Sequence, residues 1–457
     1  MTILPVKPTL VIATLLLMCS APDFIPAFKD YKVLDWHSTL AVLDFHARQR
    51  HEAPLEEEQL RLKPDTEEQR TEAHPLVDAS HQLDHFYGAL LRTEQHADGA
   101  VTQILHYGDS PTTADLITAD VRALFQKQFG DAGHGFALIA KPWAWYGHRG
   151  IEVRGGGWKM DAANQIELRD GLFGLGGVSF RGGTGSWSRV VVKDDGLEAM
   201  EVLYLKQPDG GSFQVFAGDQ SLGTIDTRSD EIEPGFAPFQ VPQGANHFEI
   251  KNVQGPVRMF GMRFGKNTPG VVYNSLGLNG ASVTAIGQNM SEAHWAAELR
   301  HARPDLVIIN YGTNESVYSA YVDSSYEKEL RKAIARVKRA LPDSSIMIMS
   351  PMDRGQRSDS GEIVTVPALH RLVNIQQRVS AETKCAFFNT FQAMGGPGTM
   401  GRWYQAEPRL VGADFIHPMP AGARIVGNLL YKSLIKGYNG YKLRHLQQRT
   451  AKLEEKK

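Results

Sequence analysis

Four short stretches of this chain hold the residues most able to do chemistry, and they are spread from residue 110 to residue 417. Ser110 ends the string His106-Tyr107-Gly108-Asp109-Ser110, directly after an apolar run. A serine hydroxyl at that point would sit at the start of a helix, where backbone N–H groups and the helix dipole favour developing negative charge. Gly280 lies in Leu276-Gly277-Leu278-Asn279-Gly280-Ala281, where the lack of a side chain lets a backbone N–H approach a ligand. Asn314 lies in Asn310-Tyr311-Gly312-Thr313-Asn314-Glu315 and offers a neutral amide donor for an oxyanion. In Asp414-Phe415-Ile416-His417 a carboxylate stands three positions before an imidazole. It can hold the imidazole's tautomer and support its positive charge, leaving the other ring nitrogen free to take a proton from Ser110. Each stretch alone has a plainer reading: a helix cap, an ordinary turn, an Asn turn, a surface loop with incidental polar residues. Taken together they supply nucleophile, base, orienting acid and oxyanion donors, a set that cleaves esters with no metal or organic cofactor.

The elements expected around these stretches would bring them together. Val101 to Tyr107 reads as a buried strand, and Ala114 to Phe129 as a helix with Leu116, Val121, Leu124 and Phe125 on one side. From residue 270 to 440 strands alternate with helices: strands at Val271 to Asn274, Asp305 to Asn310, Ser345 to Met349 and Ala386 to Phe388, helices at Met290 to His301, Tyr326 to Ala340, Ala368 to Thr383 and Ala421 to Leu434. Alternation of this kind predicts an α/β domain, a parallel sheet covered on both faces, whose sites form outside the carboxyl ends of the strands. Between the halves, residues 151–268 hold 20 of the chain's 44 glycines and a series of short alternating runs parted by turn signals, which predicts an inserted antiparallel β-sandwich.

The order Ser, Gly, Asn, Asp-x-x-His and its placement on the predicted strands resemble the SGNH, or GDSL-type, hydrolases. The resemblance covers residues 101–147 and 270–440. The strings around Ser110, Gly280 and Asn314, with a sandwich inserted after the first block, further resemble the bacterial peptidoglycan O-acetylesterases. That resemblance implies a three-layer α/β/α, flavodoxin-like fold interrupted by a jelly-roll or carbohydrate-binding-module-like insert. It implies Ser110 as nucleophile, His417 as general base and then acid, Asp414 as its orienting partner, and an oxyanion hole of the Ser110 and Gly280 N–H groups and the Asn314 amide. The substrate implied is an acetylated cell-wall polysaccharide, with another acetylated polysaccharide, such as xylan or an exopolysaccharide, or an O-acetyltransferase reaction as alternatives, and a wall-binding scaffold as the alternative of another class. Two residues depart from the family pattern: Pro111 stands where leucine is common, and Glu315 where Asp is common. Arg354 and Trp403 are expected in loops bordering the cleft. Trp158 and Trp187 are expected either to stack on sugar or to fill the sandwich core. His106 is expected to be structural, and His134, His148, His294 and His370 have no Asp at a useful spacing.

Composition sets the outer limits. The chain has 457 residues, 49 Lys plus Arg against 51 Asp plus Glu, and a net charge of −2, which excludes a global basic field for nucleic acid. Two cysteines, Cys19 and Cys385, exclude a disulfide scaffold and a cysteine-rich metal site. Lys7 followed by the apolar run Leu10 to Met18 has the shape of an export signal over residues 1–21, with an uncleaved membrane anchor as the alternative. Residues 22–100 read as a helical extension with an acidic linker, the two halves of the hydrolase domain as 101–150 and 269–440, and residues 441–457 as a charged tail. The expected setting is periplasmic or secreted.

Overall fold

The computed structural model describes residues 75–165 and 169–454. The export segment, the part of the helical extension and acidic linker before residue 75, and Cys19 lie outside the described residues.

Six strands form the central sheet, in the order Leu76–Val77, Ala386–Phe388, Ser345–Met349, Leu306–Asn310, Val101–Gly108, Gly270–Gly277. The last five run parallel, and the two-residue first strand pairs antiparallel with Phe387 and Phe388. Side chains alternate between the faces of a strand, and both faces here are apolar. Leu306 and Ile308 join a core with the helices Asp84–Glu94, Leu116–Phe129 and Pro420–Glu454, whereas Val307 and Ile309 join a second core with the helices Glu292–Ala302, Tyr326–Ala340 and Leu369–Glu382. That double burial is why the strand reads as a continuous run of Leu, Val and Ile. Residues 75–100, read as extension, supply an edge strand and a covering helix that lays Phe86 and Leu90 on the sheet. The helix expected over Ala421 to Leu434 runs unbroken to Glu454, through much of the stretch read as a tail.

The inserted region folds as two antiparallel sheets. One contains Ile151–Gly156, Trp187–Val192, Ser212–Ala217, Gln220–Asp226 and His247–Gln254. The other contains Lys159–Ala162, Val178–Gly182, Ala199–Lys206, Glu233–Gln240 and Val257–Gly265. Gly135–Ala137, ahead of the expected insert, pairs with Val257–Gly265 and so belongs to the second sheet. Strand Ser212–Ala217 shows the sandwich pattern, burying Phe213, Val215 and Ala217 and turning the residues between them outward.

The helix Glu292–Ala302 lies between the parallel sheet and the insert. Trp295 Nε1 donates to Tyr107 Oη at 3.1 Å, and Tyr107 donates to the Leu175 carbonyl at 3.0 Å, joining helix, central strand and insert through one phenol. On the same helix Glu298 is buried with neither carboxyl oxygen hydrogen-bonded. Burial, reinforced by the charge of Glu201, pushes its pKa from 4.5 up to about 8. The folded state therefore holds a neutral acid that the unfolded chain would ionise. Its contribution to stability is complete below pH 4.5 and is lost as pH rises through about 8. Glu298→Gln, which cannot titrate, is expected to flatten this decline. Thermal midpoints of the two proteins at about pH 5 and about pH 8.5 should diverge with rising pH, and parallel curves would contradict the assignment.

Candidate active site

Gly108 ends the central strand in register with Gly277 on one side and Asn310 on the other, so three loops leave the same sheet edge side by side. Close contact holds them there. A Cβ on Gly277 would lie 2.0 Å from Thr113 N, and one on Gly108 would lie 2.2 Å from Thr112 Oγ1. The short helix Ser110–Thr113 thus rests directly on the strand ends, and Ser275 Oγ clips it from below by donating to the Thr112 carbonyl at 2.9 Å. The helix stops because Asp115 adopts a left-handed conformation, with φ of 52°, before the helix Leu116–Phe129 begins. Asp115 is held in that conformation by a buried bidentate pair with Arg122 (2.7 and 3.2 Å), by Thr118 Oγ1 at 2.6 Å and by Arg149 N–H at 2.9 Å. The guanidinium and these hydrogen bonds outweigh burial and keep its carboxyl far below the usual range.

Asp414 and His417 meet Ser110 across this edge. His417 Nδ1 lies 2.6 Å from Asp414 Oδ2, and Nε2 lies 2.8 Å from Ser110 Oγ. Burial raises the Asp414 pKa, but the bond from the imidazole and the N–H groups of Ile416 (3.0 Å) and His417 (3.1 Å) outweigh it and bring the value to about 2. An ionised carboxylate can only accept. Nδ1 therefore carries the ring proton, and the neutral Nε2 is left to accept from the serine hydroxyl. The loop is anchored by Phe415, whose φ of 60° is unusual for an aromatic residue. Its ring is buried in edge contact with Tyr404, and its carbonyl accepts the Gly355 N–H at 2.9 Å. The His417 and Asp414 side chains remain 45% and 47% exposed, so the pair opens to solvent.

The donor groups gather on the neighbouring loops. Asn314 Nδ2 donates one hydrogen to the Ala281 carbonyl at 2.8 Å, leaving the other for a ligand. Gly280 has φ of +72° and nothing within 4 Å of where a Cβ would be, so the backbone conformation, not lack of space, favours glycine there. Among the described residues neither the Ser110 nor the Gly280 N–H finds an acceptor. Two buried carboxyls lie beneath these donors. Glu315 Oε1 accepts the Val283 N–H at 2.8 Å, tying the Asn314 turn to the Gly280 loop, and burial raises its pKa to about 7. Burial likewise raises Asp109, next to the serine, to about 6. Sequence reading treated Glu315 only as a departure from a pattern and gave Asp109 no role. Their burial follows from loop packing, which has no periodic signal.

The remaining expectations divide. Arg354 borders the site: Nη1 donates to the Thr313 carbonyl at 2.7 Å, and although burial disfavours its charge, Asp109 and Asp414 are close enough to support it. Trp403, expected in a loop at the cleft, is instead 8% exposed on the helix Thr399–Gln405. It packs with Met400, Leu410 and Phe415 in the core beneath the His417 loop, because an indole facing that apolar cluster is better buried than solvated. Trp158 and Trp187 line one cleft of the insert. Trp158 Nε1 donates to the Trp187 carbonyl at 2.7 Å, and Gly155, Gly156, Gly157 and Lys141 share the lining of a 370 Å³ cavity. Trp158 is partly buried against the core, whereas Trp187 is exposed. His106 donates or accepts at Tyr273 Oη, 2.7 Å away, inside the sheet. His134, judged by spacing to lack an acidic partner, has one: Asp194 Oδ2 at 2.7 Å, brought from sixty positions away by the insert. Its Nε2 is buried without a partner, so no nucleophile stands opposite. Cys385 is buried. Among the described residues no group of three or more His, Cys, Asp or Glu could hold a metal ion, and no helix is long and apolar enough to cross a membrane.

Residues 243–425 match the family model of the GDSL-like lipase/acylhydrolase family. Ser110 lies upstream of the matched stretch, on the other side of the insert. Among solved structures, a peptidoglycan O-acetylesterase aligns over 80% of this chain and 99% of its own, with a TM-score of 0.69 and 20% identity. A GDSL-like lipase from Parabacteroides merdae aligns over 36% of this chain and 72% of its own at 19% identity, with a TM-score of 0.28. Est24, a carbohydrate acetylesterase from Sinorhizobium meliloti, aligns over 36% and 78% at 16% identity, with a TM-score of 0.27. No functionally curated protein matches the chain. Residues 243–425 thus carry a GDSL-like lipase/acylhydrolase domain, which supports an ester hydrolase.

Glu315 allows the loop geometry to be tested. Glu315→Ala leaves the Val283 N–H without its acceptor, a loss of about 1–3 kcal/mol, and frees the two donor loops to separate. Turnover of p-nitrophenyl acetate is expected to fall on the order of 10²-fold, the usual result of a small misplacement of reacting groups. Glu315→Gln keeps an acceptor oxygen and should stay close to the parent. Unchanged turnover in the alanine variant would show that the link is dispensable.

Proposed function

We propose that this GDSL-type ester hydrolase removes O-acetyl groups from a cell-wall polysaccharide, peptidoglycan foremost, through Ser110, His417 and Asp414. The observation that carries the reading is the continuous hydrogen-bond path from Asp414 through both nitrogens of His417 to the Ser110 hydroxyl. Acetyl as the acyl group, and peptidoglycan as its carrier, are supported by the strings around Ser110, Gly280 and Asn314 and by the likeness to a peptidoglycan O-acetylesterase across nearly all of that protein.

In this mechanism Ser110 Oγ attacks the acetyl carbonyl carbon while His417 Nε2 takes the hydroxyl proton. The imidazolium that forms is supported by the ionised Asp414. The carbonyl oxygen becomes an oxyanion held by the Ser110 N–H, the Gly280 N–H and the free hydrogen on Asn314 Nδ2. The tetrahedral centre then breaks its bond to the sugar oxygen, which leaves as an alcohol with the proton from His417. A water molecule, deprotonated by the same nitrogen, attacks the acetyl-serine. Acetate departs and Ser110 recovers its proton. The exposure of His417 favours water over a sugar hydroxyl as the final acceptor, and so hydrolysis over acetyl transfer.

Arg354, at the edge of the site, would contact the saccharide, and the Trp158–Trp187 cleft would hold a sugar ring away from the catalytic edge. A polysaccharide of the cell wall also calls for export, in keeping with the apolar run Leu10 to Met18.

Acetate release separates the possible substrates. Release from O-acetylated peptidoglycan should exceed release from acetylated xylan, and chemically deacetylated peptidoglycan should yield none. A preference for xylan would move the activity to another polysaccharide. Ser110→Ala should lower turnover on the order of 10⁶-fold and Asn314→Ala roughly 10²–10³-fold. A fluorophosphonate probe that left Ser110 unlabelled would point instead to a scaffold protein.

A further inference from the structure

Among the described residues only three large aromatic side chains are exposed: Trp145 at 78%, Tyr318 at 66% and Trp187 at 44%. Trp187 belongs to the cleft of the insert. The other two stand on loops joined to elements of the catalytic edge, Trp145 on one bonded to the serine's helix and Tyr318 on the one that follows Asn314.

Trp145 lies in the loop Lys141 to His148. That loop is fastened to the serine's own helix: the Gly147 N–H donates to the carbonyl of Thr113, the helix's last residue, at 3.3 Å. A Cβ on Gly147 would lie 3.2 Å from the Ala114 oxygen, so the two backbones are in contact. The loop is also braced from behind, where Tyr146 is buried and its hydroxyl accepts the Leu138 N–H at 3.2 Å. Tyr318 follows the single helical turn Glu315–Val317, which begins directly after Asn314. Its backbone is fixed at both ends, the N–H donating to the Glu315 carbonyl at 3.0 Å and the carbonyl accepting the Val322 N–H at 3.0 Å. Its phenol is close enough to Arg354 to act on the charge of that guanidinium, which also responds to Asp109 and Asp414.

An indole and a phenol left in water on braced loops joined to a reaction site cost apolar hydration that a ligand can recover. The chemistry of their surroundings selects the ligand. An acyl chain or lipid needs a continuous apolar channel, whereas these two rings stand singly on separate loops, Tyr318 beside the Arg354 guanidinium. A saccharide suits isolated rings set among polar groups. The C–H face of each sugar ring covers one aromatic plane, and the hydroxyls between them reach hydrogen-bonding groups. We propose that Trp145 and Tyr318 stack on sugar rings flanking the acetylated ring, so that the enzyme acts within a saccharide chain and discriminates against short acetylated sugars. This inference rests on the acetylesterase reading above and specifies the length of its substrate.

The test compares kcat/KM for an acetylated tetrasaccharide with kcat/KM for the same acetylated monosaccharide. In the parent protein the ratio should favour the longer substrate. Trp145→Ala and Tyr318→Ala should each lower that ratio roughly ten-fold, the worth of one aromatic contact, mainly through KM for the tetrasaccharide. Tyr318→Phe, which keeps the ring, should preserve it within about two-fold. Thermal midpoints check that the variants fold. A ratio unmoved by both alanine substitutions overturns the inference, as does an equal fall on both substrates, which would mark the rings as structural. A parent protein that cleaves p-nitrophenyl acetate but no acetylated sugar overturns the acetylesterase reading and this inference together. A parent whose length preference survives both substitutions overturns this inference alone.

Discussion

The site depends on the close approach of the Ser110 turn to the ends of two strands. Gly108 and Gly277 have no side chains, and that absence lets the helix Ser110–Thr113 lie across the sheet edge with Thr112 and Thr113 against the glycine backbones. A methyl group at Gly277 would overlap backbone atoms, which cannot rotate away as a side chain can, so the turn would have to lift. Lifting it would move Ser110 Oγ relative to His417, whose own position is fixed by a different loop anchored at Phe415. Ser110 and His417 come from opposite ends of the described chain. They meet because the serine's turn rests on the strand ends while backbone bonds to Gly355 and Gly412 hold the His417 loop opposite it.

The carboxyls around this edge are sorted by environment. Asp414, at the solvent boundary with two backbone N–H groups and an imidazole as donors, is held ionised at a pKa of about 2. Asp109 and Glu315 are fully enclosed and are pushed up to about 6 and about 7. The difference follows the number of donors each oxygen finds set against the water each loses. Its effect is to leave one firm negative charge beside His417, where the proposed mechanism forms an imidazolium, while the two acids near the proposed oxyanion donors carry less charge at neutral pH than free carboxylates would. A full negative charge below the oxyanion hole would oppose the charge that develops there. The unusual Glu315 is thus compatible with an oxyanion site because it is buried.

The parts of the fold carried by repetition were legible in the sequence. Alternating strands and helices, two-faced apolar strands and the glycine-rich insert all leave periodic or compositional marks, and Asp414 and His417 are near neighbours. Contacts without a period were not legible. The pairing of His134 with Asp194 is made by the insert and has no spacing to read. The two-residue edge strand Leu76–Val77 is too short to show alternation, and it takes its pairing from an edge that exists only once Ala386–Phe388 is in the sheet. Trp403, expected in a loop bordering the cleft, belongs instead to the helix Thr399–Gln405, whose apolar side packs with Phe415. Trp145 and Tyr318 have no sequence signature because exposure is a property of the assembled surface.

The insert is integrated into the hydrolase domain. Gly135–Ala137, reached directly from the helix that follows Ser110, is a strand of the insert's own sheet, and Val257–Gly265 of that sheet leads at once into the parallel strand Gly270–Gly277. The Tyr107 hydroxyl, on the strand that delivers Ser110, both accepts from Trp295 and donates to the insert at Leu175. Between these connections the insert cannot tilt without moving Tyr107 or the Gly277 end of the sheet, and both lie within three residues of groups that form the site. The loop Lys141 to His148 makes the same link at the surface. At one end Lys141 lines the Trp158–Trp187 cleft, and at the other Gly147 bonds to the serine's helix. The cleft and the helix that begins at Ser110 are therefore attached to one and the same loop, whose second fixed point is Thr113, three residues from Ser110.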